Sequence, residues 1–325
     1  MSAPQLGYLC LSENPSAEAG RALIRQFVLV REAERMGYDD IWLAEHHGDS
    51  QWPHGGMLAL LGHLAAVTAK SRIGSLVMMP GLHDPLMLAE HVATLDLLSK
   101  GRFQLGVASG GAQAAALQAR GLDRGAARDR LHAHLDQVMA LLAGQPWQAP
   151  GGGDLGLVPP PGQPAVPVWL AADDEASIRK AAERGWGLVA AATHTRERVL
   201  RMVDRYMAAS QGRAPELTLA RFASTAADHG DAVGVAQAYL SGFAQRAQAQ
   251  GWGQDAKLSN AADPARLLAD TLVGTHEEVA AQFKALAHSH GATRIAIVPT
   301  TGQFDAHKHI LAAFVDEIRP LLDED

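Results

Sequence analysis

The feature that most constrains this chain is an alternation: eight short apolar runs separated by longer stretches with helical spacing. The runs are "LGYLCL" (Leu6 to Leu11), "DIWLAEH" from Asp40, "RIGSLVMM" (Arg72 to Met79), "RFQLGVA" (Arg102 to Ala108), "VPVWLAA" (Val166 to Ala172), "GLVAA" from Gly187, "LTLARFAST" from Leu217 and "TRIAIVP" (Thr293 to Pro299). Short apolar runs bounded by turn residues read as strands covered on both faces, where no polar side is needed. Strands alternating with helices build a parallel sheet, and eight such units predict an α/β fold closed into a (β/α)8 TIM barrel. The competing doubly wound sheet would carry a glycine-rich phosphate turn after its first strand. Here Leu11 is followed by "SENPSAE" instead.

The helix signals agree. A periodic stretch from Glu18 to Met36 ends at Gly37, and Asp84-Pro85 has the order of an N-cap and first helical residue. Thr275 and Glu278 have the spacing of a capping box. Two stretches break the pattern: the Pro/Gly-rich segment over 145–165 and the polar loop from Gly251 to Asp263. They predict insertions after strands four and seven of a single domain covering 1–325, with the second acting as a lid over the open face.

Composition narrows the function classes. Hydrophobic residues at 47% and charged residues at 19% of 325 suit a globular chain, and a net charge of −7 argues against a broad nucleic-acid surface. The single cysteine, Cys10, excludes an intrachain disulfide and a cysteine-based zinc site. The N-terminus lacks the basic region of a signal peptide, and no apolar window approaches a membrane span, so a cytoplasmic location is expected.

In a parallel barrel the C-terminal ends of the strands carry the chemistry. Glu45-His46-His47, Ser109-Gly110-Gly111, Asp173-Asp174 and Thr300-Thr301-Gly302 stand there. Imidazole suits proton transfer near neutral pH, and it also serves as an ordinary hydrogen-bonding group at strand ends. Adjacent histidines on an extended chain point to opposite faces, and the H-E-x-x-H and H-x-H spacings are absent, so a metal centre is disfavoured. Nor is there a G-x-S-x-G elbow for a serine hydrolase. His54 and His83 are read as loop residues near the open face, Trp42 as core, and Met78-Met79 either as pocket lining or as core filler.

Several stretches together resemble the bacterial luciferase-like family of flavin-dependent monooxygenases: "GYDDIWLAEHH", "RIGSLVMMPGLHDPLMLAEHVATLDLLSKGRFQLGVASG", "VPVWLAADDEASIRKAAERGWGLV" and "LVGTHEEVAAQF", in that order. The resemblance implies a (β/α)8 barrel of the two-component type. It would bind reduced FMN (FMNH2) from an NAD(P)H:flavin reductase and oxidise a small organic substrate with O2 through a flavin C4a-hydroperoxide. His46 would be the acid/base residue, positioned by Glu45. The flavin ring would lie against Leu76-Val77, the expected non-prolyl cis pair, near Ser109 and Gly110. The family's phosphate segment corresponds to Ala171–Ser177, where Ser177 supplies the hydroxyl. Asp173, Asp174 and Glu175 would repel a phosphate there, with Asp173 as a helix N-cap, and Arg179, Lys180 and Arg102 are candidates to compensate. Ala108 and Ser109 stand where the luciferase α chain has a reactive Cys and an Arg. The alternatives are F420-dependent hydride transfer and a flavin-binding relative without turnover. A homodimer is expected from the resemblance alone.

Overall fold

The computed structural model describes residues 4–11, 13, 18–148 and 151–323. Its strands are β1 (Gln5–Cys10), β2 (Asp40–Leu43), β3 (Arg72–Met78), β4 (Phe103–Val107), the two-residue pair β5 (Trp147–Gln148) and β6 (Asp154–Leu155), then β7 (Val168–Leu170), β8 (Gly187–Ala190), β9 (Leu217–Thr225), β10 (Leu272–Gly274) and β11 (Ala292–Pro299). Eight of them form a closed parallel ring in the order β1-β2-β3-β4-β7-β8-β9-β11. The ring is sealed where β11 pairs with β1 (Ile297 beside Tyr8) and β9 with β8 (Thr218 beside Val189). The barrel expected from the eight runs is therefore the observed fold.

The helices are α1 (Ala19–Met36), α2 (Met57–Val67), α3 (Pro85–Leu98), α4 (Ala114–Gln118), α5 (Arg124–Leu142), α6 (Glu175–Arg184), α7 (Arg196–Ala209), α8 (His229–Ala249), α9 (Pro264–Ala269), α10 (His276–His290), α11 (Phe304–Ala313) and α12 (Arg319–Asp323). Local chemistry sets their ends. The Asp84 side chain accepts from the Met87 amide at 3.0 Å with Pro85 in the first turn, and Gly37 closes α1 in the left-handed region at φ 94°. The Thr275–Glu278 capping box is formed at α10.

Side-chain alternation divides the core into two layers. In β9, Leu217, Leu219 and Ala223 pack outward among the helices, while Ala220 and Phe222 join the barrel interior with Trp42 and Trp169. Trp42 is fully buried and meets Trp169 edge to face at 6.5 Å, which is the core role read from sequence. Met78 belongs to the outer layer, so it does not line the mouth. Towards the start of the strands, the Asp40 carboxylate accepts from Arg72 and Gln104, each at 2.8 Å. Functional space is left to the opposite end.

The insertions carry more structure than the sequence suggested. The 145–165 excursion holds the β5–β6 hairpin. The 251–263 segment holds two 3-10 turns, Trp252–Gln254 and Ser259–Ala262, and is followed by α9 and β10. These pieces are only a few residues long, too short for periodicity to declare them. α8 supplies Ala236, Leu240, Phe243, Ala244 and Ala247 to the interior cluster, which fixes the second insertion over the barrel mouth. Most of the "SENPSAE" turn, together with Ala149 and Pro150, lies outside the described residues. Among the described residues no helix is long and apolar enough to cross a membrane.

Candidate active site

Glu45, just past β2, is the hub of the mouth. Its Oε1 lies 3.0 Å from His47 Nε2 and 2.9 Å from His83 Nε2, and its Oε2 accepts from the Met79 amide at 2.6 Å. Its own amide donates to the Val77 carbonyl at 2.9 Å, so the ends of β2 and β3 are tied together. Gln113 adds a further clasp, donating to the Glu45 carbonyl at 2.5 Å and accepting from the His47 amide at 2.9 Å. Burial pushes the Glu45 carboxyl up, but the hydrogen bonds from His47, His83 and Met79 outweigh it and bring the pKa down to about 2.

The expected Glu45–His46 pairing is not made; the carboxylate is spent on His47 and His83. Consecutive side chains leave an extended segment on opposite sides, so position 47 takes the glutamate and position 46 faces away. His46 packs on Trp52 instead, with ring centres 4.8 Å apart and planes tilted by 37°. Its Nδ1 is buried without a hydrogen-bond partner. Burial, with His54 nearby, lowers its pKa to about 4, so the ring is neutral at pH 7. His54 is fully buried rather than open to a ligand: Nδ1 donates to the Ala44 carbonyl at 2.8 Å and Nε2 lies 2.7 Å from the Gln26 side-chain amide.

The peptide joining Leu76 and Val77 is cis. Leu76 is buried in the interior cluster and Val77 packs against it. Gly110 adopts φ 81°, and a Cβ there would lie 2.3 Å from Met79 Sδ, so only glycine fits. Ser109-Gly110 thus lies against the same β3 end that Glu45 holds through Met79.

The acidic segment differs from expectation in detail. Asp174, not Asp173, caps α6, accepting from the Ser177 amide at 3.0 Å. Asp173 pairs with Arg198 at 2.8 Å and Lys257 at 2.9 Å, and its backbone carbonyl accepts from Arg205. Burial raises the Asp173 carboxyl, but Lys257 and Arg198 draw it below its ordinary value. The expected compensating bases are engaged elsewhere: Arg179 with Glu175 at 2.6 Å, Lys180 with Asp136 at 2.6 Å, and Arg102 with the Ser71 carbonyl at 2.6 Å. Ser177 is buried, with Oγ 2.8 Å from His132 Nε2. The bases actually present are Arg198, Arg201, Arg205 and Lys257, around a cavity of about 410 Å³ whose rim includes Asp173, Asp174 and Glu175. Their spacing along α7 places the three arginines on neighbouring turns of one helix, a signal the sequence carried.

Among the described residues no group of three His, Cys, Asp or Glu side chains could hold a metal ion.

Among the described residues six imidazoles have depressed pKa values, each chiefly through burial: His46, His54 and His307 at about 4, His194 at about 3, and His132 and His290 below their ordinary value. The unfolded chain takes up these protons near pH 6.5 while the folded chain does not. Stability is therefore lost as pH falls from about 6.5 towards 4. Glu13, raised to about 7 by burial that outweighs the opposing pull of Tyr239 and Arg246, and the exposed His229, raised by Glu278, have the opposite sign but stand against six. Urea unfolding should show a loss of several kcal/mol between pH 7 and pH 5. A flat profile over that range would contradict the burial of these rings.

The luciferase-like monooxygenase family model matches residues 4–294. The chain belongs to this family. A luciferase-like monooxygenase of Escherichia coli K12 is 38% identical over 100 residues, 30% of each chain. The matched stretches span only 24% to 30% of the length of such curated relatives. Two solved luciferase-like folds cover nearly everything. Monooxygenase RslO1 from Streptomyces bottropensis superposes with a TM-score of 0.81 at 21% identity, over 97% of this chain and 99% of its own. The oxygenating constituent of 3,6-diketocamphane monooxygenase from Pseudomonas putida, a type II Baeyer–Villiger monooxygenase in complex with FMN, gives 0.80 at 18%, over 98% and 99%. At these identities the two likenesses establish the luciferase-like fold.

Proposed function

We propose that the chain is a two-component flavin-dependent monooxygenase that takes reduced FMN from a separate flavin reductase and uses O2 to oxidise a small organic substrate. The observation that carries this reading is the His46 ring: neutral at pH 7, packed on Trp52, with a buried Nδ1 that no protein group satisfies. A buried polar atom without a protein partner is a point where a ligand or a water can be received, and among the described residues the His46 Nδ1 is the one such atom that stands at a strand end beside Glu45. Bound reduced flavin would supply the electrons that activate oxygen. Leu76 and Val77 would form the wall for its ring beside Ser109 and Gly110. Arg201, Arg205 and Lys257 would answer its phosphate, easing the repulsion from Asp174 and Glu175. His46 would hold or move a proton at the reacting centre. Glu45 would act at one remove, by fixing the ends of β2 and β3 against the Met79–Gly110 contact.

Equilibrium titration of the purified chain with reduced FMN, oxidised FMN and F420 tests the reading. Reduced FMN should bind most tightly. A preference for F420 would move the chain to hydride transfer, and failure to bind any of the three would leave a relative without turnover.

A further inference from the structure

Arg246 lies on α8, the helix laid over the barrel mouth. Its guanidinium stands 5.7 Å from the centre of the Trp52 ring and 5.9 Å from that of Phe243. The same indole carries His46 at 4.8 Å. Among the described residues Arg246 makes no ion pair within 4 Å, and its Nε is buried with no hydrogen-bond partner. A half-buried arginine buries its stem and turns its guanidinium to water or to an acid, because removing the charge from both is costly. The carboxyl that feels the charge of Arg246 is Glu13, which accepts a hydrogen bond from the Tyr239 hydroxyl and forms no ion pair with Arg246 within 4 Å. Burial raises the Glu13 carboxyl to about 7, so it is only partly ionised at neutral pH and balances the guanidinium incompletely.

The surroundings are aromatic. Phe243 contacts Trp52 at 5.9 Å, Phe222 at 5.2 Å and Trp252 at 6.4 Å between ring centres. An unpaired cation set in a wall of rings is the arrangement that binds an acid with an apolar body: the guanidinium takes the carboxylate and the rings take the rest.

We infer that Arg246 anchors the carboxylate of an apolar or aromatic carboxylic acid at the barrel mouth, beside His46. The arriving carboxylate would favour the protonated form of Glu13, which then offers a second hydrogen bond. The inference depends on the monooxygenase reading only in naming the acid a substrate; binding itself needs no flavin, so the two can fail separately.

The test is calorimetric titration of the chain without cofactor, using benzoate, phenylacetate and hexanoate against benzamide, phenylacetamide and hexanamide. At least one acid should bind about tenfold or more tightly than its amide, the size of a charge-assisted hydrogen bond. Arg246→Met should erase that preference and Arg246→Lys should keep part of it, with circular dichroism and melting verifying that both variants fold. Equal binding of acids and amides, no binding of any acid at millimolar concentration, or undiminished acid binding by folded Arg246→Met would each overturn the inference. The last result would leave Arg246 as a cover for the rings of Trp52 and Phe243.

Discussion

Replacing His46 with alanine should lower turnover by about a hundredfold or more while leaving reduced-FMN affinity within a few-fold of wild type. The ring is the one imidazole of the EHH triplet that Glu45 does not hold, and its free Nδ1 is buried at the mouth. Its pKa of about 4 keeps it unprotonated at pH 7, so it begins a cycle able to accept a proton and need not first lose one. A reductase-coupled assay gives turnover, and anaerobic titration gives the flavin affinity. Unchanged turnover would remove His46 from the chemistry. A parallel collapse of flavin binding would make it a binding residue instead.

The second large effect is expected at Glu45. Glu45→Gln should lower the free energy of unfolding at pH 7 by about 3 kcal/mol, the scale of removing one member of a buried charged network. The carboxylate is acceptor-only and meets three donors: two imidazoles at Oε1 and the Met79 amide at Oε2. A carboxamide has one oxygen. If it faces His47 and His83, its NH2 confronts the Met79 N–H, donor against donor; turned round, it confronts the imidazoles. The sign of the pH dependence follows from the depressed pKa of about 2. The wild-type advantage is complete above the unfolded carboxyl value near 4.3 and fades as pH falls through 2. Urea unfolding of the two proteins at pH 7 measures the gap, and a difference below about 1 kcal/mol would show that the hub is not holding β2 to β3.

Much of this was legible in one dimension. Eight runs of β-branched and aliphatic residues give eight strands because burial on both faces leaves a local mark in composition. Gly37, Asp84-Pro85 and Thr275–Glu278 mark helix ends because capping acts over four residues or fewer. Placing Glu45-His46-His47 at a strand end followed directly. What each of the three does with its side chain did not. The partners of Glu45 include His83, 38 residues away, and that of Asp173 includes Lys257, 84 residues away. Arg102 and Lys180 looked available to a phosphate until the fold set them against the Ser71 carbonyl and Asp136.

By itself, then, the sequence determined the alternation, the barrel and the strand ends where polar side chains gather, because hydrophobic periodicity and capping are short-range and write themselves into neighbouring residues. Only the tertiary structure decided that Glu45 serves His47 and His83, that His46 is left free against Trp52, and that Arg246 arrives from α8 to stand over the same ring. Those outcomes depend on which distant donors and acceptors reach a common point when the ring of strands closes, and no window of adjacent residues contains that information.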